Sequence, residues 1–331
     1  MISPPRNASP DRAPAADGRP HPRAGRAGVR GALRKCCLRG APLGLLALLA
    51  APSALAAIPS GARRAAVAIR PTTVSGLSGL GGSATRAAQH ATSQNWAGYA
   101  VTAAAPFTRV LGSWVAPAPS CTSATPSYAA FWIGIGGFTH TARGLEQIGT
   151  DSDCGAHGTA TLFAWYELLP APPVQLALKV HAGDRMTASV TVLGHRVALH
   201  IRDMSTRKAF ITSVHVRRPD TSSAEWIAEA PSSCASNGSC RTLPLANFGA
   251  VTFSGALAAL GGGPEEPVGA PLFAATNLDL RDQGVGTAAS EGGSPPASSG
   301  ARASTSPLSP EGSSFLVSWE AGPAAASPAT G

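Results

Sequence analysis

The segments RMTASVTVL (185–193) and HRVALHIRD (195–203) carry the clearest structural signal in the chain. In the first segment apolar residues stand at positions 186, 188, 190 and 192, and Ser or Thr stands at positions 187, 189 and 191. Side chains of a β-strand point alternately to opposite faces, so this pattern is typical of a strand that is buried on one face.

Similar short segments precede and follow this one, each bounded by Gly, Pro, Asp or Ser. They are NWAGYAV, FTRVLGSWVA, YAAFWIGIGGF, GLEQIGT, ATLFAWYELLP, VQLALKVHA, KAFITSVHV, AEWIAEA and GAVTFSG. Many short strands at regular spacing predict an all-β chain, folded as an antiparallel sandwich or barrel. No segment has a helical apolar stripe longer than two turns.

Composition agrees with this prediction. Charged residues make up 13% of the 331 residues, while the chain has 37 Gly and 29 Pro, which argues against a coiled coil or a helix-rich enzyme. The formal net charge is +8, but residues 1–56 hold nine Lys or Arg and only two Asp. The rest of the chain is close to neutral, so we do not expect nucleic-acid binding.

The N-terminal region has the features of an export signal. Residues 41–51 (APLGLLALLAA) are apolar, and Ala54-Leu55-Ala56 resembles a signal-peptidase site. We expect residues 1–56 to be a signal peptide with a long basic leader, cleaved after Ala56, and the product to be secreted without a membrane anchor. The Ala-, Ser-, Gly- and Arg-rich residues 57–92 are expected to be a propeptide or linker.

The cysteines suggest two disulfides. Cys36 and Cys37 lie in the leader, and the remaining four cysteines allow three connectivities. Cys234 and Cys240 bracket the turn-rich ASNGS, which favours a local loop between them and leaves Cys121 to pair with Cys154. No pair has the spacing of a structural zinc site, so no metal or other cofactor is expected.

The pattern weakens towards the C-terminus. A β-sandwich domain is predicted for residues 93–280, with less order after Gly255. Residues 281–312 have the Gly/Ser/Pro-rich composition of a linker, residues 313–320 (SSFLVSWE) read as a terminal strand of the same domain, and residues 321–331 are expected to be disordered.

Acidic residues are scarce, which singles out AEWIAEAP (224–231). In a strand, Glu225, Ile227 and Glu229 share one face. The two glutamates would lie about 13 Å apart, too far for the acid/base pair of a glycosidase, so a catalytic Glu would need another partner. Two exposed charges near a strand end are the alternative. The chain has no H-E-x-x-H, G-x-S-x-G or P-loop motif.

A series of motifs between residues 93 and 249 resembles the glutamic peptidase (eqolisin) family. The motifs are SQNWAGY (93–99), GSWVAP (112–117), FWIGIGG (131–137), LEQIGT (145–150), AWYELLP (164–170), AGD (182–184), AEWIAEAP (224–231) and LANFG (245–249). The resemblance implies a concanavalin A-like sandwich of two antiparallel sheets, secreted as a zymogen and active in acid. The CASNGSC segment resembles the family's small disulfide loop.

The same resemblance implies a catalytic dyad of Gln147 and Glu229, with Glu225 as the family's non-catalytic glutamate. A carboxylate at Glu229 can take a proton from an attacking water and return it to the leaving amine. The Gln147 amide can stabilise the oxyanion. An acid optimum fits a base whose pKa lies near that of a free carboxyl.

The resemblance also implies a substrate cleft that contains Trp96, Trp132, Trp165 and Glu167. Burial of these tryptophans in the sandwich core is the alternative interpretation. Gly136 and Phe163 stand where the family usually has Asp, which puts the transfer of pH optimum and specificity in question.

The expected partner is a protein or peptide substrate, cleaved by a monomer. One competing hypothesis is a non-catalytic, lectin-like sandwich that binds carbohydrate through exposed Trp. Another is a glycoside hydrolase, for which Glu167 would have to be the second carboxylate opposite Glu229. Basic residues in 57–92 are expected to occupy an acidic cleft until low pH weakens the pairing; they are Arg63, Arg64, Arg70 and Arg86.

Overall fold

The computed structural model describes residues 88–122, 125–234, 240–281 and 300–322, and these are built almost entirely of β-strands. The only helical turn among them is a 3₁₀ turn at Ala156–Gly158. The strands are β1 Gln89–Ser93, β2 Trp96–Thr102, β3 Phe107–Val115, β4 Ala130–Ile135, β5 Glu146–Cys154, β6 Ala160–Leu168, β7 Val174–Lys179, β8 Arg185–Leu193, β9 Arg196–Asp203, β10 Ala209–His215, β11 Ser223–Glu229, β12 Ser232–Cys234, β13 Cys240–Thr242, β14 Ala250–Leu260, β15 Glu265–Pro267, β16 Ala274–Leu280, β17 Arg302–Thr305 and β18 Phe315–Glu320. The all-β prediction is confirmed.

Sixteen strands form one large sheet, and β12 and β13 form a separate two-stranded sheet. The order along the large sheet is β10-β9-β8-β3-β14-β18-β17-β16-β2-β11-β4-β5-β6-β7, with β1 added beside β16 and β15 beside β14. Every pair in it is antiparallel except β1 and β16, which run parallel. The predicted antiparallel sheet is therefore confirmed, with one parallel pair at its N-terminal strand.

The segments RMTASVTVL and HRVALHIRD form the neighbouring strands β8 and β9. They pair from Met186 opposite Asp203 to Leu193 opposite Arg196. The apolar positions of both strands are buried and the intervening positions are more exposed, as the alternation predicts.

Two apolar clusters lie on the two faces of the region around β11. Trp226 and Ala228 belong to the main hydrophobic core, while Ile227 packs in a smaller cluster with Trp96, Trp132 and Trp165. The predicted division of AEWIAEAP between two faces is confirmed, and the small cluster marks the face on which the glutamates lie.

Strand β14 links two parts of the large sheet. Its first half pairs with β18 and its second half with β3 and β15, with a register shift between Ser254 and Leu257. Strands from the β3 side also contact strands to which they are not hydrogen-bonded: β8 and β9 contact β5, and β3 contacts β4 and β11.

The expected loss of order after Gly255 is wrong. Strand β14 runs on to Leu260, and β16 lies inside the large sheet between β2 and β17. Strand β16 does not read as a buried strand because its buried residues include Thr276, Asn277 and Asp279. The Asn277 amide nitrogen donates to Tyr99 Oη at 3.0 Å, and Asp279 accepts from the Thr305 backbone N–H at 2.9 Å, whereas Asn277 Oδ1 has no hydrogen-bond partner among the described residues.

Several predicted segments fall wholly or partly outside the described residues. These are the signal peptide, residues 57–87, residues 282–299 and residues 323–331. Within the described part, Gln89–Ser93 and Arg302–Thr305 are strands although they overlap the predicted propeptide (57–92) and linker (281–312). The predicted strand at 313–320 is present as β18. The described residues contain no helix that is long and apolar enough to span a bilayer.

The predicted Cys121–Cys154 disulfide is confirmed, with an S–S distance of 1.98 Å. Cys240 is also disulfide-bonded, and it lies opposite Cys234 in the β12–β13 pair. The side chain of Cys234 is outside the described atoms, so its pairing with Cys240 stays a prediction.

Gly98→Ala is expected to destabilise the protein. Gly98 has φ +138°, and a Cβ there would lie 2.1 Å from the Trp226 carbonyl oxygen on the neighbouring strand. The strained φ and the backbone clash together should cost about 2 kcal/mol or more, which lowers Tm by at least roughly 4 °C in thermal unfolding. Gly183→Ala is the matched control, because Gly183 also has positive φ but a Cβ there meets nothing within 4 Å. Equal losses of Tm in the two variants would contradict the clash.

Candidate active site

The predicted site residues lie on one face of the sheet. Residues that pair directly across strands share a face, and along each strand alternate residues do. Glu229 pairs with Trp96 on one side and Ala130 on the other. Gln147 pairs with Gly134 and with Glu167, while Trp165 pairs with Gly149 opposite Trp132. All of the predicted catalytic and substrate-binding residues are thus brought together, and all are buried.

The Glu229 carboxyl group is held by two donors. Asn95 Nδ2 donates to Oε1 at 2.8 Å and Trp132 Nε1 donates to Oε2 at 2.8 Å. The Trp96 indole stands edge-on to that of Trp132, with 5.1 Å between ring centroids. Its Nε1 makes no hydrogen bond of standard geometry in the described region, although it lies near enough to favour the charged form of Glu229. Glu229 is therefore fixed on both oxygens.

Burial raises the pKa of Glu229 to about 8, and the neighbouring N–H groups of Trp132, Trp96 and Asn95 oppose that rise. This differs from the expected base with a pKa near that of a free carboxyl. The physical reason is complete exclusion of water, since the residue is 0% exposed.

Asn95 is a site residue that sequence reasoning missed. Its side chain is tied to Ser93, whose hydroxyl donates to Asn95 Oδ1 at 3.2 Å and accepts from the Trp96 backbone N–H at 3.1 Å. This short turn after β1 aims the amide at Glu229. The signal was present in SQNWAGY (93–99), but only its tryptophan was singled out.

Gln147 is joined to a second carboxyl group. Its Nε2 donates to Glu167 Oε2 at 2.8 Å, while its Oε1 has no hydrogen-bond partner among the described residues. Burial and, to a smaller extent, the charge of Glu229 raise the pKa of Glu167 to about 8, and the Gln147 amide opposes both. Glu167 thus interacts with both members of the predicted dyad.

Two glycines make room for this arrangement. A Cβ at Gly149 would lie 2.6 Å from Trp132 Cβ and 2.3 Å from the Phe131 carbonyl oxygen. A Cβ at Gly134 would lie 3.3 Å from Gln147 Cβ. Both positions sit on β4 or β5 in the middle of the site face, where the absence of side chains leaves space for the Trp132 and Gln147 side chains.

Asp151 is a second residue that the sequence analysis missed. It accepts a hydrogen bond from Trp165 Nε1 at 2.7 Å and lies one residue beyond the LEQIGT motif. Phe163 and Gly136 are the two positions at which the family usually has Asp. Phe163 packs against the small apolar cluster. A Cβ at Gly136 would lie 2.6 Å from Asp220 Cβ. Asp220 therefore occupies the space that a side chain at position 136 would need.

Glu225 lies on the same strand as Glu229 but in a different environment. Burial raises the pKa of Glu225 well above its ordinary value, and the charges of Asp220 and Glu146 raise it further. Burial likewise raises the pKa of Glu146 to about 8. Neither carboxyl group makes a hydrogen bond of standard geometry with described residues. Both are therefore neutral in the folded protein at acid pH.

The stability of the fold should fall as pH rises. Each raised pKa means that the folded state holds a proton that the unfolded state loses above about pH 4.5. We expect Tm to be highest near pH 4 and to fall progressively up to about pH 8, where these groups have ionised. Glu225→Gln should raise Tm at pH 7.5 by at least roughly 4 °C and change it little at pH 4.

Scanning calorimetry at both pH values measures this effect. Glu311→Gln is the matched control, since Glu311 is exposed. A Glu225→Gln variant whose Tm shifts equally at both pH values would contradict the assignment of a buried, neutral carboxyl.

The described residues contain no group of three or more His, Cys, Asp or Glu arranged to hold a metal ion. The functional groups of the site are carboxyl, amide and indole groups: two buried acids, Glu229 and Glu167, linked to neutral N–H donors.

Comparison with known proteins identifies the family. The model of the peptidase A4 family matches residues 94–294, more than half of the chain. No curated protein matches by sequence. A crystal structure of scytalido-glutamic peptidase with a transition state analog inhibitor is similar at TM-score 0.54 and 22% identity, over 69% of this chain and 98% of that one.

Two other solved structures are similar over most of their length. SCP-B, a member of the eqolisin family, in complex with the tripeptide Ala-Ile-His, gives TM-score 0.45 and 20% identity, over 69% of this chain and 98% of that one. Aspergilloglutamic peptidase from Aspergillus niger gives TM-score 0.42 and 22% identity, over 59% and 99%. At these identities the structural likeness concerns the fold.

Proposed function

This chain belongs to the peptidase A4 family of glutamic-type peptidases, and on that premise we propose that it is a secreted acid endopeptidase in which Glu229 activates water and Gln147 stabilises the oxyanion. The observation that carries the proposal is the convergence on one sheet face of Glu229, held by Asn95 and Trp132, and the hydrogen-bonded pair Gln147–Glu167.

In the first step, ionised Glu229 takes a proton from water as the water oxygen bonds to the carbonyl carbon of a peptide. The electrons of the C=O bond move to its oxygen, which becomes an oxyanion. One Gln147 N–H is engaged by Glu167, and the amide has a second N–H for the oxyanion. The unpartnered Gln147 Oε1 can accept a hydrogen bond from the attacking water.

In the second step, the tetrahedral intermediate collapses. The oxyanion re-forms the C=O bond, the C–N bond breaks, and Glu229 returns its proton to the leaving amine nitrogen. The carboxylate is restored for the next cycle, and the products are a new carboxyl terminus and a new amino terminus.

The first step requires Glu229 to be ionised, although its burial favours the protonated form. With a pKa of about 8, Glu229 is protonated at acid pH while water is excluded. Entry of substrate and water must therefore rehydrate it, which relieves the burial that causes the shift. Glu229 accepts a hydrogen bond on each of its oxygens, whereas Glu167 accepts only from Gln147 among the described residues. Because hydrogen-bond donors stabilise the charged form of a carboxyl group, Glu229 is the member of the pair that ionises, and Glu167 keeps its proton.

We also infer a two-layer sandwich. Strands β8 and β9 contact β5 without pairing with it, and β14 pairs with strands on both sides of its register shift. A large twisted sheet that folds over itself at such a strand buries the main core between its halves. Secretion is supported by the Cys121–Cys154 disulfide, which oxidising compartments favour.

The competing functions have less support. A lectin-like role needs exposed tryptophans, and Trp96, Trp132 and Trp165 are at most 4% exposed. Glu167 does lie on the face of Glu229, as a glycoside hydrolase would need, but it is engaged by the Gln147 amide. Membership of a peptidase family favours the peptide bond as substrate.

Asn95→Ala is expected to lower kcat about tenfold, because a hydrogen bond to a charged group is worth about 1.5–3 kcal/mol. Loss of this donor also raises the pKa of Glu229, so the acid limb of the pH–rate profile should move to higher pH. Asn247→Ala is the control, since the Asn247 side chain bonds within its own loop. An unchanged acid limb would show that Asn95 has a purely structural role.

The test of the function is digestion of an unfolded protein by the purified chain from pH 2 to pH 8, with the product ends identified by mass spectrometry. We expect internal cleavage at acid pH and an N-terminus at Ala57 in the secreted product. Absence of cleavage across the whole range would overturn the proposal.

A further inference from the structure

The basic residues of the described chain are concentrated in β8–β10. Residues 185–218 contain seven Lys or Arg and one acidic residue, Asp203. The rest of the described chain holds six Lys or Arg and thirteen Asp or Glu. The described chain is therefore nearly neutral as a whole, but residues 185–218 within it are strongly positive.

Strand register places many of these charges on one surface. The side of β8–β10 that faces away from the main core is named here the basic face. Its charged and hydroxyl residues are Arg185, Thr187, Ser189, Thr191, Arg196, His200, Arg202, Ser213 and His215. Arg207 and Lys208 are exposed at the β9–β10 turn, and Arg217 and Arg218 are exposed just after β10.

The charge on this face is not neutralised. None of its arginines forms an ion pair with an acidic residue of the described chain. The single acidic residue of this region, Asp203, is buried, and its carboxylate accepts hydrogen bonds from the Ser205 and Thr206 backbone N–H groups of the turn that follows β9. The nearby Arg109, on β3, is already paired with Glu265 at 3.1 Å.

The pKa of His200 reflects the positive charges around it. Its pKa is lowered first by burial and then by the charges of Arg202 and Arg109. At the other end of β9, the ring of His195 lies 5.5 Å from that of His215, which pairs with Arg196. Arg202 Nε has no hydrogen-bond partner in the described chain, and Arg196 donates only to the Ser213 hydroxyl at 3.2 Å.

We propose that the basic face binds an anionic polysaccharide, independently of the peptidase site. Along β9, Arg196 and Arg202 are six residues and so about 20 Å apart, a track long enough for several sugar units. Guanidinium groups suit the carboxylates or sulfates of such a polymer, and the Ser and Thr hydroxyls between them suit its hydroxyl groups.

Other polyanions fit less well. The outward positions of β8–β10 include no Phe, Trp or Tyr on which bases could stack, which disfavours single-stranded nucleic acid. The exposed aliphatic residues Leu193 and Ile211 stand apart in this grid and do not form the continuous apolar strip that inserts into a membrane.

The test compares two doubly substituted full-length chains with wild type. Arg196→Gln with Arg202→Gln removes two charges from the basic face. Arg143→Gln with Arg241→Gln removes two exposed charges outside the basic face. The two double variants therefore have the same net charge and the same N-terminal basic segment. The dissociation constants for heparin (sulfated) and polygalacturonate (carboxylated) are measured in 0.15 M NaCl, with dextran as the uncharged control.

We expect the basic-face variant to bind the acidic polymers about tenfold more weakly, which corresponds to about 1.4 kcal/mol for the two partly screened charges together. The matched variant should change by less than about twofold, and acid peptidase activity should be unchanged in both. Hydrogen exchange should show protection by heparin within residues 185–217.

Three outcomes would overturn the proposal. Equal weakening in the two variants would show attraction by net charge alone. Binding to phosphatidylserine vesicles without binding to either polymer would assign the face to a membrane. Protection confined to other residues would place any polymer site elsewhere.

Discussion

Glu229→Gln is expected to reduce kcat for peptide hydrolysis by about 10³-fold or more while leaving the protein folded. A glutamine has the shape of the glutamate but cannot take a proton from water or return it to the leaving amine, and general acid–base catalysis supplies about 10²–10⁴-fold in such sites. One of the two donors, Asn95 Nδ2 or Trp132 Nε1, can still bond to its single carbonyl oxygen, while the other faces the new amide NH₂ group.

The same variant carries its own test for misfolding. Burial raises the pKa of Glu229 to about 8, so the ionisable group destabilises the fold as pH rises above about 4.5. Its removal should therefore raise Tm at pH 7.5 even as activity is lost. Glu311→Gln, at an exposed position, should change neither quantity. Full activity in Glu229→Gln would overturn the mechanism.

Gln147→Ala is expected to lower kcat by about 10²–10³-fold, the usual loss for one oxyanion donor. The effect should appear in kcat more than in KM, because the oxyanion exists only after attack of water. The substitution also leaves Glu167 without the N–H that it accepts at 2.8 Å. Because that N–H opposes the raised pKa of Glu167, its loss should raise the pKa further.

Gln147→Glu separates these two effects. It keeps the size of the side chain but replaces the donor by a third carboxyl group beside Glu167 and Glu229. We expect a loss at least as large as in Gln147→Ala, with activity falling further as pH rises. Gln89→Ala, at an exposed position of β1, is the control. A loss below about fivefold in Gln147→Ala would show that another group stabilises the oxyanion.

Much of the site could be predicted because it follows from strand periodicity. The alternation in AEWIAEAP alone predicts that Glu225, Ile227 and Glu229 share one face of the strand, and the smaller apolar cluster lies on that face. Strand β16 could not be predicted in the same way. Its buried Asn277 donates to Tyr99 and its buried Asp279 accepts from Thr305, and both partners are distant in the chain.

Two site residues needed the fold before they could be recognised. Asn95 reaches Glu229 across 134 positions of sequence. Asp151 accepts the Trp165 indole N–H from the neighbouring strand. Asn95 lies between two strands and Asp151 within β5, and only the partner that the fold brings to each distinguishes it from an ordinary polar side chain.

The sequence by itself determined the strands and the faces of those strands, because these follow from a two-residue period. The resemblance of its motifs to the glutamic peptidase family implied the pair of side chains on which the chemistry is proposed to depend. Tertiary structure alone decided that four glutamates are withdrawn from water and that the arginines of β8–β10 share one surface. Burial and electrostatic fields depend on what packs around a group from every side, and those neighbours come from strands far apart in the chain.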